Sequence, residues 1–285
     1  MTHRKAKGYE RKMMKETPYR ILALDLDGTL TNSAKEITPR TREAIHRAIR
    51  GGIAVALASG RPYLGVAPVA RALGLDTLGG YILCFNGGLV QRFDTGEDVF
   101  HRFLPPDSIK KICALAAGLH VYPLSYDQTG VVSPFPENRY VKREAYNNDL
   151  SIRYVPDLAG FIDYPVEKLM LVGEPEDTAK AVPMLQAAFG ETLGVFGSEP
   201  YFIELVPPGI NKASSLQILL DHLGLRRESL IACGDAMNDY EMLRLAGLSV
   251  AMENAVPRIK EAADFVTLSN DADGVAHVIE TFLDV

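Results

Sequence analysis

The chain has 285 residues, 47% of them hydrophobic and 23% charged, with 30 basic against 36 acidic side chains and a net charge of −6. That mixture suits a soluble chain with a buried core and argues against disorder, collagen or coiled coil. The acidic excess speaks against a nucleic-acid footprint spread over the surface, and no apolar stretch approaches the length of a bilayer-crossing helix.

Residues 1–17 are basic (Arg4, Lys5, Lys7, Arg11, Lys12, Lys15), and no apolar run follows before Ile21, so they do not form a conventional secretory signal. They are expected to be a disordered, solvated leader. Arg20-Ile-Leu-Ala-Leu24 predicts a buried strand. Thr38-Pro39 opens a helix that closes at Gly51-Gly52. Ile53–Ala58 is a second strand, about 62–73 a helix, and Tyr81–Phe85 a third strand. Strand alternating with helix predicts a parallel sheet covered on both faces.

After Asn86 the pattern changes. Residues 89–93 and 98–103 flank a turn at Asp94-Thr95-Gly96-Glu97 and read as a hairpin. The proline-rich, aromatic stretch from Pro105 to about Pro165 has no clear periodicity. Lys168–Val172 reads as a strand, Pro175–Phe189 as a helix and Phe202–Val206 as a strand. From Asn211 the alternation returns: helix 212–223, strand Leu230–Cys233, helix 238–246, strand Leu248–Met252. The expected organisation is one α/β core, residues 18–88 and 193–285, interrupted by an inserted α/β domain at 89–192. Three cysteines, Cys84, Cys113 and Cys233, form no disulfide framework and no C-x-x-C pair, which fits a reducing, cytoplasmic setting.

Polar residues gather where these strands end. The first strand runs into Asp25-Leu-Asp27-Gly-Thr29, the second into Ser59-Gly60-Arg61-Pro62, and a later one into Gly234-Asp235-Ala-Met-Asn238-Asp239; Lys212 opens a helix after Pro208-Gly209-Ile210-Asn211. In open α/β sheets these ends border the ligand crevice. Asp25, Asp27, Asp235 and Asp239 brought together would repel one another, so the cluster must take up protons or bind a cation. An all-oxygen set suits Mg²⁺, and there is no H-E-x-x-H or histidine spacing for a softer metal. With a divalent ion present, one carboxylate can attack phosphorus as a nucleophile. The second aspartate can give a proton to the leaving oxygen and take one from water. Ser59 and Lys212 are the right types to hold non-bridging oxygens. Singly, each motif also fits a turn, a helix cap or a solvated surface residue; their joint order along the chain is what builds a site.

These motifs together resemble the haloacid dehalogenase (HAD) superfamily, most closely its Cof-type phosphatases, over nearly the whole chain after the leader. The later strings Val250-Ala-Met-Glu-Asn-Ala255, Asp264-Phe-Val-Thr267, Ser269-Asn-Asp271 and Gly274-Val-Ala276, and Asn86-Gly87, fit the same family. The resemblance implies a Rossmannoid parallel-sheet core with an inserted α/β cap that closes over it and selects substrate. It makes Asp25 the nucleophile and Asp27 the acid/base. It implies Mg²⁺ held by Asp25, the backbone carbonyl of Asp27, and Asp235 with Asp239 in support, and phosphoryl contacts from Ser59, Gly60, Lys212 and Asn238. Ser59 stands where threonine is common, and Ala213 follows Lys212 where glycine is frequent. The expected function is a Mg²⁺-dependent phosphatase acting on small phosphorylated metabolites through an aspartyl-phosphate, with no nucleic-acid or membrane partner. The alternatives are a phosphomutase of the same superfamily and a non-catalytic binder of phosphorylated metabolites. No P-loop, G-x-G-x-x-G or G-x-S-x-G string is present.

Overall fold

The computed structural model describes residues 18–285; the expected leader, 1–17, lies outside them. The first five strands are β1 (Ile21–Leu24), β2 (Ala54–Ala58), β3 (Tyr81–Cys84), β4 (Leu89–Arg92) and β5 (Glu97–His101). Then come β6 (Tyr122–Tyr126), β7 (Gly130–Ser133), β8 (Ser151–Tyr154), β9 (Leu169–Val172), β10 (Gly194–Glu199) and β11 (Phe202–Val206). The last three are β12 (Leu230–Gly234), β13 (Leu248–Ala251) and β14 (Phe265–Val266). They form an eight-stranded sheet in the order β14-β13-β12-β1-β2-β3-β4-β5 and a six-stranded sheet in the order β10-β11-β9-β6-β7-β8.

In the first sheet β1 lies between β12 and β2, parallel to both, with Leu24 opposite Cys233 on one side and Leu57 on the other. Every residue of β1 and β12 is buried. Strands covered on both faces have no polar side, which is why they read as unbroken apolar runs. The chain adds β2 and β3 on one side of β1 and later β12, β13 and β14 on the other. The strand order therefore reverses at β1, and the crevice of an open α/β sheet lies at such a point. The helices follow their start signals. Thr38 accepts the Thr41 amide at 3.1 Å to begin Pro39–Arg50, and Asn211 and Ser214 form a capping box that begins Lys212–Leu223.

The second sheet is sandwiched. Leu169, Leu171, Ile203 and Leu205 pack with Ile109, Ile112, Ala181 and Leu185 of its own helices. Met170, Val172, Phe202, Leu124 and Tyr126 on its other face join the core of the first sheet. The unparsed stretch 105–165 contains helices Pro106–Ala116 and Arg139–Asn148 as well as β6, β7 and β8.

Sheet membership changes inside the expected insert, 89–192, and again beyond it. The hairpin β4–β5 continues the first sheet, antiparallel to β3, while β10 and β11 belong to the second. A hairpin satisfies its own backbone hydrogen bonds and looks the same in sequence whichever edge it joins, so its local pattern does not assign it. The expected helix at 238–246 is also shorter: a 3₁₀ turn at Met237–Asp239 precedes an α-helix at Tyr240–Leu245. Leu57 is fully buried in the first sheet. Leu57→Ala should cost about 2–5 kcal/mol of folding stability, read as a lower urea midpoint with an unchanged transition slope.

Candidate active site

Asp25 follows β1 directly, and Asp235 follows β12, the strand beside it. The Asp25 amide donates to the Cys233 carbonyl at 3.1 Å, which locks the two strand ends together. Lys212, the first residue of its helix and only 1% exposed, reaches into the gap. Its ammonium donates to Asp25 Oδ1 at 2.5 Å and to Asp239 Oδ1 at 2.6 Å. Asp239 Oδ2 accepts the backbone amides of Asp235 and Ala236, so Asp239 both anchors the lysine and shapes the turn carrying Asp235. Asp25 Oδ2 has no hydrogen-bond partner among the described residues. Carboxylate oxygens of Asp25, Asp235 and Asp239 lie within 4.8 Å of one another.

Crowding three carboxylates around one ammonium leaves a deficit of positive charge. Burial, aided by Asp239 and Asp235 and opposed by Lys212, pushes the Asp25 carboxyl up to about 8. Asp235 is pushed up to about 6 by burial and by Asp239. Burial alone would lower the Lys212 ammonium, but Asp239 and Asp25 hold it above its ordinary value. Protons or a cation must balance such a set. An oxygen-only trio with one free Asp25 oxygen fits a hard divalent ion such as Mg²⁺.

Asp27 stands apart from that trio. Its side chain is 53% exposed, and both oxygens accept from the Arg61 guanidinium, one of them from Nε at 2.7 Å. Arg61 in turn donates its backbone amide to Ser59 Oγ at 3.1 Å, and Ser59 is buried at the end of β2. Asn238 is exposed on the 3₁₀ turn. Apart from Gly60 and Asn238, the residues expected at the site fall into two hydrogen-bonded groups, Asp25–Lys212–Asp239–Asp235 and, through Arg61, Asp27–Ser59.

Three further residues complete this arrangement. Thr29 Oγ1 donates to Asp235 Oδ1 at 3.0 Å and orients that carboxylate. Gly28 has φ +79°, and a Cβ there would sit 2.5 Å from Asp235 Oδ2, so only glycine lets the turn pass so close. Asn254 donates to the Gly28 carbonyl at 2.7 Å and braces the turn from the loop after β13. Thr29 and Gly28 belonged to the first motif, and Asn254 to a later one, yet nothing in residue type marked their partners. A cavity of about 410 Å³ in the inserted segment, lined by Cys113, His120, Tyr122 and Phe135 among others, shares no residue with this cluster.

The raised carboxyls have a measurable consequence. Folded Asp235 and Asp25 keep protons to about pH 6 and 8, against 3.8 for an ordinary aspartate. The folded state therefore binds more protons than the unfolded state across that window, and without a cation stability falls as pH rises through it. Magnesium at about a hundred times its dissociation constant should raise the melting temperature by about 5 °C at pH 8 and by much less at pH 5, where protons already neutralise the cluster. Thr29→Val, which frees Asp235, should weaken Mg²⁺ binding about tenfold, read as a shifted midpoint in a Mg²⁺ titration of the melting temperature.

Comparison with known proteins identifies the family. A family model described as haloacid dehalogenase-like hydrolase matches residues 22–279. The chain is 31% identical to the 5-amino-6-(5-phospho-D-ribitylamino)uracil phosphatase YwtE of Bacillus subtilis, covering 92% of this chain and 97% of that one. It is 29% identical to the HMP-PP phosphatase of Serratia proteamaculans, over 93% and 96% of the two chains. Among solved structures, a haloacid dehalogenase-like hydrolase from Bacteroides thetaiotaomicron superposes with a TM-score of 0.88 at 42% identity, covering 92% of this chain and 98% of the other. The chain belongs to the haloacid dehalogenase-like hydrolases, among their Cof-type phosphatases.

Proposed function

We propose that this phosphatase hydrolyses small phosphomonoesters in a Mg²⁺-dependent reaction through a phosphorylated Asp25. The observation that carries this reading is the buried Lys212 bridging Asp25 and Asp239 beside Asp235, with one Asp25 oxygen left free. Asp25 Oδ2 attacks phosphorus, and the bond to the ester oxygen breaks as an acyl phosphate forms. Asp27, turned from Arg61, gives a proton to the departing oxygen, and the alcohol leaves. As a carboxylate, Asp27 then takes a proton from water while the water oxygen attacks phosphorus. The acyl phosphate opens to inorganic phosphate and free Asp25. Lys212 and the Ser59 hydroxyl, with Gly60 and Asn238, hold the non-bridging oxygens, and the lysine charge offsets the negative charge that develops. Asp25, Asp235 and the Asp27 carbonyl would hold the magnesium, with Asp239 in support through its hold on Lys212 and on the Asp235 turn; the ion would supply further countercharge to the phosphoryl group.

The second sheet is read as the cap over this crevice. The two phosphatases named above align with 92–93% of this chain and 96–97% of their own length. That supports a small phosphorylated metabolite as the substrate class, with the insert choosing among such compounds.

The test is phosphate release from p-nitrophenyl phosphate and from a panel of sugar and cofactor phosphates. Wild-type turnover should require Mg²⁺ and vanish with chelator, and Asp25→Asn should reduce it by at least about 1,000-fold. Acid quench of a single turnover should trap label on Asp25. Turnover detected only as an isomerised sugar phosphate, without free phosphate, would instead identify a mutase.

A further inference from the structure

The loop Ser59–Gly60–Arg61 has three carbonyls, and each is held by one donor. The Asn86 amide donates to Ser59 O at 3.0 Å, and the Phe85 amide to Arg61 O at 2.9 Å. Both donors come from the turn after β3, where Phe85 and Asn86 occupy the left-handed region at φ 55° and 58°. The middle carbonyl, Gly60 O, is not reached by that turn. Its donor is Lys168 Nζ, at 2.8 Å, from the inserted segment just before β9. No other group among the described residues donates to it.

Lys168 is 2% exposed, so its charge needs compensation. Glu204 on the neighbouring β11 supplies it at 3.2 Å, and Asn86 Nδ2 holds the same Glu204 oxygen at 2.8 Å. The Gly60–Arg61 peptide is thereby gripped at both ends, its carbonyl by Lys168 and its N–H by Ser59 Oγ. With the Ser59 oxygen occupied as an acceptor, the hydroxyl hydrogen is left to donate outward. Glycine at position 60 would otherwise let that peptide plane turn freely.

We propose that Lys168 is a positioning residue for phosphoryl binding. Through the Gly60 carbonyl it fixes the peptide plane that aims the Ser59 hydroxyl, and Glu204 serves to keep its charge buried. This rests on the reading of Ser59 as a phosphoryl contact.

Three full-length variants test it with p-nitrophenyl phosphate and Mg²⁺. Lys168→Met should lower kcat/KM by about 100-fold, the size expected for a misplacement of about 1 Å. Inhibition by orthovanadate should weaken by a similar factor, while the Mg²⁺ half-saturation stays within about twofold. Lys168→Arg, which keeps the charge and the donors, should recover most of the loss. Lys168→Met also strands Glu204 and is expected to melt earlier, so the double variant Lys168→Met, Glu204→Gln removes both charges. It should regain thermal stability but not activity. Activity of the double variant within threefold of wild type, or a Lys168→Met loss confined to the folded fraction with vanadate affinity intact, would overturn the proposal and leave the pair as glue between the sheets. An inactive wild type would instead count against the phosphatase reading itself.

Discussion

Burying a lysine at the head of a helix among three aspartates is the constraint around which the first sheet is arranged. An ammonium with almost no exposure survives only if oxygen atoms replace its lost water, and Asp25 Oδ1 and Asp239 Oδ1 do so. Those two carboxylates come from the ends of β1 and of the turn after β12. The strands must therefore lie side by side and the Lys212 helix must start where it does. The continuous apolar sequence of β1 and β12 supplies the hydrophobic drive for that adjacency, and the charge network fixes its register at the exit. Compensation is incomplete, however, so protons or a cation must balance the set.

The second sheet extends the same logic across a seam. Its face toward the core carries both apolar residues and a second set of buried polar groups. Tyr126 donates to Glu144 at 2.6 Å, Asn148 to the same carboxylate at 2.8 Å, and Lys168 and Glu204 pair nearby. Each of these charges lies against another group that answers it, so the two layers meet with few stranded polar atoms. One is Asn148 Oδ1, buried without a partner and pressed against Gly65 of the first layer.

Much of this was legible beforehand because the relevant signals are local. Doubly covered strands leave unbroken apolar runs, helix starts carry caps, and the clustered aspartates and Lys212 sit in short strings at strand ends and at a helix start. What was not legible depends on partners far along the chain. Lys168 reads as an ordinary charged residue at the head of an apolar strand; its meaning lies in Gly60, 108 positions earlier. Arg61 and Thr29 stood inside recognisable strings, but their attachment to Asp27 and Asp235 is a matter of space. Sheet membership is hidden for a related reason, since an edge hairpin has no residue that names its neighbour. β10 was invisible because Gly194-Val-Phe-Gly-Ser-Glu199 is a half-exposed edge with two glycines.

The backbone crosses between the layers twice, after His101 and again after Val206. Two tethers define an axis, and any swing of one layer over the other must turn about it. Close to the first tether, Leu104 N donates to Val166 O at 2.8 Å and His101 Nε2 meets Glu167 at 2.7 Å, so Lys168 lies one and two residues beyond bonds that hold that tether. The contact between Asn148 and Gly65 belongs to other elements and is not tied to either tether. A swing that kept both tethers would load contacts remote from them first, and the Lys168–Gly60 bond, near the first tether, would be among the last to stretch.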